Sequence, residues 1–173
     1  MEYFDVKKWM QEHFKLSKKV LLENKTNNSL EFVLVWALFE NKYLKDSGYS
    51  SYNNQLVELS KIIKVGNTEL NEIYGFLYNR YFNNGKTTKY YENLKFKKEW
   101  KKTTKEILEK TKPTDEKKLI FILLVIYKFR CNLFHGKKDP LLLKNFEKVF
   151  FHINKFLAYL LDIEKNVVLL KSK

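Results

Sequence analysis

Residues Leu119–Tyr127 read Leu-Ile-Phe-Ile-Leu-Leu-Val-Ile-Tyr, an apolar run with no polar face. Wound into a helix, such a run presents hydrocarbon all round and has to be surrounded by other elements of the chain. Nine residues are about half of what a membrane span needs, so the run is expected in a protein core, not a bilayer. Pro113 precedes it, and Thr114 or Asp115 is placed to cap the helix that carries it. The chain has 173 residues, 45% of them hydrophobic, with 5 Gly and 2 Pro. That is material for one domain with its own core and few breaks. The expectation is a single all-α domain over residues 1–173, an antiparallel helical bundle of about five to seven helices.

The helices that would surround this core are legible by their spacing. Tyr3–Glu23 carries a loose stripe of Phe4, Trp9, Phe14, Val20 and Leu21, and Asn24–Asn28 reads as a loop. Ser29 is placed to cap a second helix with Phe32, Val33, Trp36, Leu38 and Phe39 inside and Glu40 near its end. After a loop at Lys45–Ser51, a third helix is expected over Tyr52–Val65. Gly66 would stop it, and Asn67 or Thr68 would cap a fourth reaching Tyr81. Asn83-Asn84-Gly85 breaks the chain. The segment 86–112 is dense in lysine with Tyr90, Tyr91, Leu94, Phe96, Trp100, Ile107 and Leu108 interleaved, and is expected as a helical segment that can protrude. Two readings apply to it: an amphipathic helix laying its rings on the bundle, which the spacing favours, or a stacking surface for single-stranded RNA. Asp139-Pro140 suits the start of a last helix following Phe146, Val149, Phe150, Ile153, Phe156, Leu157 and Leu160, with Lys144, Lys148 and Lys155 mostly on its other side.

Charge narrows the partners. A net charge of +13 suits an anionic partner such as nucleic acid, although lysine-rich composition is also what an AT-rich coding sequence produces. Nearly all the basic residues are lysine; Arg80 and Arg130 are the only arginines. The single cysteine, Cys131, excludes an internal disulfide and a cysteine-based zinc cluster, and reads as a small buried filler. His13 and His152 fall within amphipathic stretches and read as structural or surface groups. The acidic, amphipathic start of the chain does not read as a secretory signal, so a cytoplasmic protein with no membrane association is expected. No nucleotide fingerprint, phosphate-cradling glycine loop or serine elbow is present, and neither cofactor nor metal is expected.

The apolar helix runs into Phe129-Arg130-Cys131-Asn132-Leu133-Phe134-His135-Gly136. Arginine is an always-charged planar donor matched to phosphate, and histidine titrates near neutrality; together they suffice to cut a phosphodiester without metal. Five residues of ideal helix turn Arg130 and His135 apart by about 140° over about 7.5 Å. For both to act on one phosphate, either the helix stops before His135 or the site is shared between chains. The alternative is that Arg130 and His135 only cap a helix and pair with a carboxylate.

Arg130, Asn132, Leu133, Phe134, His135 and Gly136 match the Arg-Asn-Asn-Leu-Phe-His-Gly form common among bacterial members of the HEPN superfamily, which this chain resembles. Cys131 departs from it, standing where the family usually has a polar residue. Trp36-Ala37-Leu38-Phe39-Glu40 is similar, less specifically, to a Trp-and-Glu helix of some bacterial HEPN families. The resemblance implies a metal-independent endoribonuclease of the toxin or antiviral-defence type. In it the ribose 2′-hydroxyl attacks the adjacent phosphorus, leaving a 2′,3′-cyclic phosphate. His135 would be general acid or base and Arg130 would hold the scissile phosphate. Asn132 would orient phosphate or imidazole, and Lys128, Lys137 and Lys138 would bind substrate. Glu40 and Cys131 stand as supporting residues, with a solvated or ion-paired Glu40 as the plainer alternative. The implied partners are RNA, a second copy completing the site across a two-fold axis, and a neutralising antitoxin of nucleotidyltransferase type. The competing reading is a non-catalytic HEPN-like module that binds RNA or a protein partner.

Overall fold

The computed structural model describes residues 4, 5, 8, 9, 12, 28–44, 51–134 and 146–163. In chain order these form α1 (Asn28–Tyr43), α2 (Tyr52–Ile62), α3 (Asn67–Tyr81), β1 (Phe82–Asn83), β2 (Lys86–Thr87), α4 (Lys89–Glu92), α5 (Lys98–Glu109), α6 (Asp115–Phe134) and α7 (Glu147–Ile163). The protein is all-α, a helical bundle whose only sheet among the described residues is the pair β1–β2. The first expected helix, Tyr3–Glu23, and the Asp139-Pro140 start of the last one fall largely outside the described residues. No helix among the described residues is long and apolar enough to cross a membrane.

The chain forms two compact units, one from Tyr43–Lys138 and the other from Met1–Lys42 with Asp139–Lys173. Within the first, α2, α3 and α5 all pack on α6. The apolar run behaves as its sequence demands: every residue from Leu119 to Ile126 is 9% exposed or less. Phe121 is fully buried and meets Tyr74 and Tyr81 of α3 edge-on, with ring centroids 5.9 Å and 6.4 Å away. At the polar start of α6, Lys118 Nζ donates to Asn71 Oδ1 of α3 at 3.0 Å and to Asp115 Oδ1 at 2.7 Å. Thr114 Oγ1 accepts from Lys117 N at 3.4 Å, the cap expected for this helix.

In the other unit α1 and α7 lie side by side and run in the same direction. Asn28 N donates to Glu147 Oε2 at 3.1 Å, Phe32 and Phe150 meet at 5.3 Å, and Lys42 Nζ donates to the Leu161 carbonyl at 2.8 Å. Asn154, fully buried, donates its amide to the Asn28 carbonyl at 2.9 Å. α1 begins at Asn28, so Ser29, expected as its cap, lies inside the first turn. The carboxylate at this positive helix end comes instead from Glu147, 119 residues away. The apolar positions expected for α7, from Val149 to Leu160, are buried, and Lys148 and Lys155 are exposed. Lys144 lies outside the described residues.

Two boundaries in the Tyr43–Lys138 unit differ from expectation. α2 ends at Ile62, three residues early, and Gly66 precedes α3 with extended backbone (φ −61°, ψ 140°), so it starts a helix where a stop was expected. Asn83-Asn84-Gly85 does more than break the chain. Asn84 and Gly85 both take positive φ, 49° and 72°, which closes a two-residue hairpin pairing Phe82 with Thr87 and Asn83 with Lys86. The segment 86–112 accordingly divides into β2, α4 and α5.

Truncating Phe121 to alanine removes a ring from a fully buried position of α6 and is expected to cost about 3–5 kcal/mol of unfolding free energy. Urea denaturation checks this; a loss below about 1 kcal/mol would mean that α6 is not the element the unit is built around.

Candidate functional site

The last turns of α6 carry Lys128, Phe129, Arg130, Cys131, Asn132, Leu133 and Phe134. His135, Gly136, Lys137 and Lys138 lie outside the described residues, so of the expected catalytic set the structure places Arg130 and Asn132. It does not bring these two together. Two helical steps separate them by about 200°, and the consequence is visible in burial: Arg130 is half-buried while Asn132 is 3% exposed, turned into the protein. An amide so enclosed is not placed to orient a phosphate held by Arg130. Lys128, half-buried, lies about 40° from Asn132 by helical phase and is likewise away from the Arg130 face.

The structure groups a different set around the arginine. Tyr127 precedes Arg130 by three residues and Cys131 by four, the two spacings that put side chains on one helix face. Burial first, and the neighbouring Cys131 thiol second, push the phenol up to about 12. The Arg130 guanidinium, three residues on, opposes that shift. Cys131 is half-buried, where a buried filler was expected.

A second helix reaches the same face. Tyr52, the first residue of α2, meets Tyr127 edge-on with ring centroids 5.8 Å apart. Ser51 caps that helix, its Oγ accepting from Asn54 N at 3.4 Å and its carbonyl from Gln55 N at 3.2 Å. The positive end of α2 thus sits beside the Tyr127–Cys131–Arg130 face, and the guanidinium and the helix dipole both favour a negatively charged group there. Tyr127 and Tyr52 were not among the residues expected from sequence. The available signal was the spacing of Tyr127 to both Arg130 and Cys131; for Tyr52 there was none, because the contact joins residues 75 positions apart.

Glu40 belongs to the unit of α1 and α7. Trp36, 1% exposed and a core residue as expected, donates its indole N–H to Glu40 Oε2 at 2.9 Å across one helical turn. The Trp-and-Glu spacing thus has a local physical meaning: the indole can be buried because its polar hydrogen is satisfied. His152 is half-buried against Phe151, rings 5.3 Å apart, in keeping with a structural role, and His13 lies outside the described residues. Among the described residues no group of three or more His, Cys, Asp or Glu could hold a metal ion.

No protein-family model matches the chain, and no curated protein or solved structure proved similar to it.

The raised phenol of Tyr127 gives a pH signature. Its folded-state value of about 12 exceeds the ordinary 10.0, so the neutral form is favoured by folding. That contribution is complete below pH 10 and is lost as the pH rises toward 12. Tyr127→Phe is expected to flatten the fall in stability over this window and to remove one late-titrating tyrosine from an absorbance titration. An unchanged alkaline slope would contradict the burial of the Tyr127 hydroxyl.

Proposed function

We propose that the protein is a metal-independent endoribonuclease of the HEPN type, cleaving RNA through attack of a ribose 2′-hydroxyl on the adjacent phosphorus. The observation that carries this reading is Arg130. It is one of two arginines in a lysine-rich chain, it is half-buried at the end of the protein's most enclosed helix, and His135 follows it five residues on. A guanidinium anchored in this way is prepaid in orientation, which is what stabilising the charge that develops on a phosphorane requires. The adjacent positive end of α2 adds to the field at the same face. His135 is the proton-transfer group of this reading, and Lys137 and Lys138 its substrate-binding cations. Two copies of the chain meeting at this face would supply both motifs to one composite site, and a neutralising protein partner would fit the toxin role.

Asn132 is 3% exposed, so of the two roles expected for it the proposal drops orienting the phosphate and keeps orienting the imidazole of His135. The same burial, with Cys131 in the polar position, favours the second reading, a helical module that binds RNA or a protein without turnover.

The test is incubation of the purified protein with total RNA in EDTA. The wild type is expected to cleave, and both His135→Ala and Arg130→Ala to lose at least about a hundredfold in rate, the usual range for removing a general acid–base or an oxyanion donor. Full activity in either variant, or intact RNA at stoichiometric wild-type protein, would defeat the proposal. Arg130→Ala also separates the readings, because an enzyme loses rate and a binder loses affinity together with its salt dependence.

A further inference from the structure

We infer that the exposed ring of Tyr90, backed by Arg80 and set among lysines without ion pairs, is a stacking platform that binds single-stranded nucleic acid. Such binding does not require Arg130 and His135 to cleave RNA.

The platform is built by the hairpin. The positive-φ pair Asn84 and Gly85 turns the chain back on itself after α3. Thr88 then fastens the returning strand to the end of that helix, its hydroxyl donating to the Arg80 carbonyl at 2.8 Å and its amide to the Tyr81 carbonyl at 2.9 Å. α4 comes next, and its adjacent tyrosines part company. Tyr91 is 1% exposed and anchored, its hydroxyl donating to the Lys101 carbonyl at 2.9 Å and lying 2.7 Å from Thr104 Oγ1. Tyr90 is 46% exposed, one of the three large hydrophobic residues left outside among the described residues. The Arg80 guanidinium lies 4.5 Å from the centroid of its ring and Lys89 Nζ 5.8 Å. A ring held in place by a cation and open to solvent is a surface on which a nucleobase stacks, with Lys89 beside it available to a flanking phosphate.

The charge around it is complementary. Residues 86–112 hold ten lysines against four glutamates, a net of +6 and nearly half of the chain's +13. Lys101 is paired with Glu92, and Lys105 with Glu109 at 3.6 Å. Lys86, Lys89, Lys95, Lys97, Lys98 and Lys102 are exposed and carry no ion pair among the described residues. The Glu92–Lys101 pair and the Tyr91–Lys101 contact tie the start of α5 to α4, so the lysines of α5 are held on the element next to the one that carries Tyr90. Neither glutamate pair involves Tyr90 or Lys89. A duplex keeps its bases stacked internally and gains little from an exposed ring; an unpaired strand gains both the stack and the charge.

Fluorescence anisotropy with a labelled oligothymidylate, which lacks the 2′-hydroxyl and cannot be cut by the proposed reaction, tests this against a duplex of equal length. The wild type is expected to prefer the single strand. Tyr90→Ala should weaken single-strand binding about tenfold while leaving duplex binding and helical content unchanged, and Tyr90→Trp should retain it. Replacing Lys97, Lys98 and Lys102 by Gln should weaken both ligands and make the logarithmic salt slope shallower by about 2, each phosphate contact contributing about 0.7. Wild-type affinity in Tyr90→Ala or in the triple variant, a preference for duplex, or binding of polyglutamate in place of either oligonucleotide would overturn the inference. Because cleavage plays no part in the readout, an inactive enzyme leaves this test intact, and a failed platform leaves the RNase reading standing.

Discussion

One requirement governs the structure: a helix that is apolar on every side has to be sheathed on every side. Each of Leu119 through Ile126 is buried, and each full burial of such a side chain contributes about 1.5–3 kcal/mol. Satisfying that requirement draws α2, α3 and α5 onto α6. It also fixes the last turns of α6. Arg130 emerges from the end of a helix that cannot roll or slide without exposing hydrocarbon, so its guanidinium inherits the rigidity of the core.

The same requirement explains why Asn132 and Arg130 part. Once Phe129 and the preceding run are committed inward, helical phase alone decides which of the next polar residues can reach the surface. Arg130 lies on the Tyr127–Cys131 face and reaches it; Asn132, about 200° further round, does not. Reading the motif as a string of polar letters merged two sides of one helix. Tyr127, the residue on the correct side, was in plain view at the i−3 and i−4 positions.

What was legible in the sequence was whatever periodicity encodes. The enclosed helix, its cap at Thr114 and the inward face of α7 follow from spacing; on α1 Phe32, Trp36 and Phe39 are buried as expected, while Val33 and Leu38 are half-buried and Val35 takes the inward place. The start of α2 was correct because Ser51 and Tyr52 stand beside a loop rich in Ser and Gly; its end was misplaced because Ile63 and Val65 continue the apolar spacing beyond the last helical residue. The hairpin was missed because strands of two residues leave no alternation to read, although Asn84-Gly85 is the pair that such a turn favours. Contacts between distant residues, such as Glu147 at the start of α1 or Tyr52 against Tyr127, leave no trace in local pattern. In the lysine-rich segment, Tyr91, Leu94, Ile107 and Leu108 lie inward as an amphipathic reading requires, and Tyr90 alone among the tyrosines of α4 stays out.

The chemistry proposed for Arg130 and His135 makes a specific statement about bonds, and the ends of the product would carry it. Attack by the 2′-hydroxyl leaves a 2′,3′-cyclic phosphate on one fragment and a 5′-hydroxyl on the other, with no metal required. Mass spectrometry of fragments produced from a defined RNA in EDTA reads those ends directly. Cyclic phosphate, with a single 2′-deoxy substitution at the scissile nucleotide blocking the cut, is the predicted result. Fragments ending in 3′-hydroxyl and 5′-phosphate, or cleavage that survives the deoxy substitution, would contradict the account.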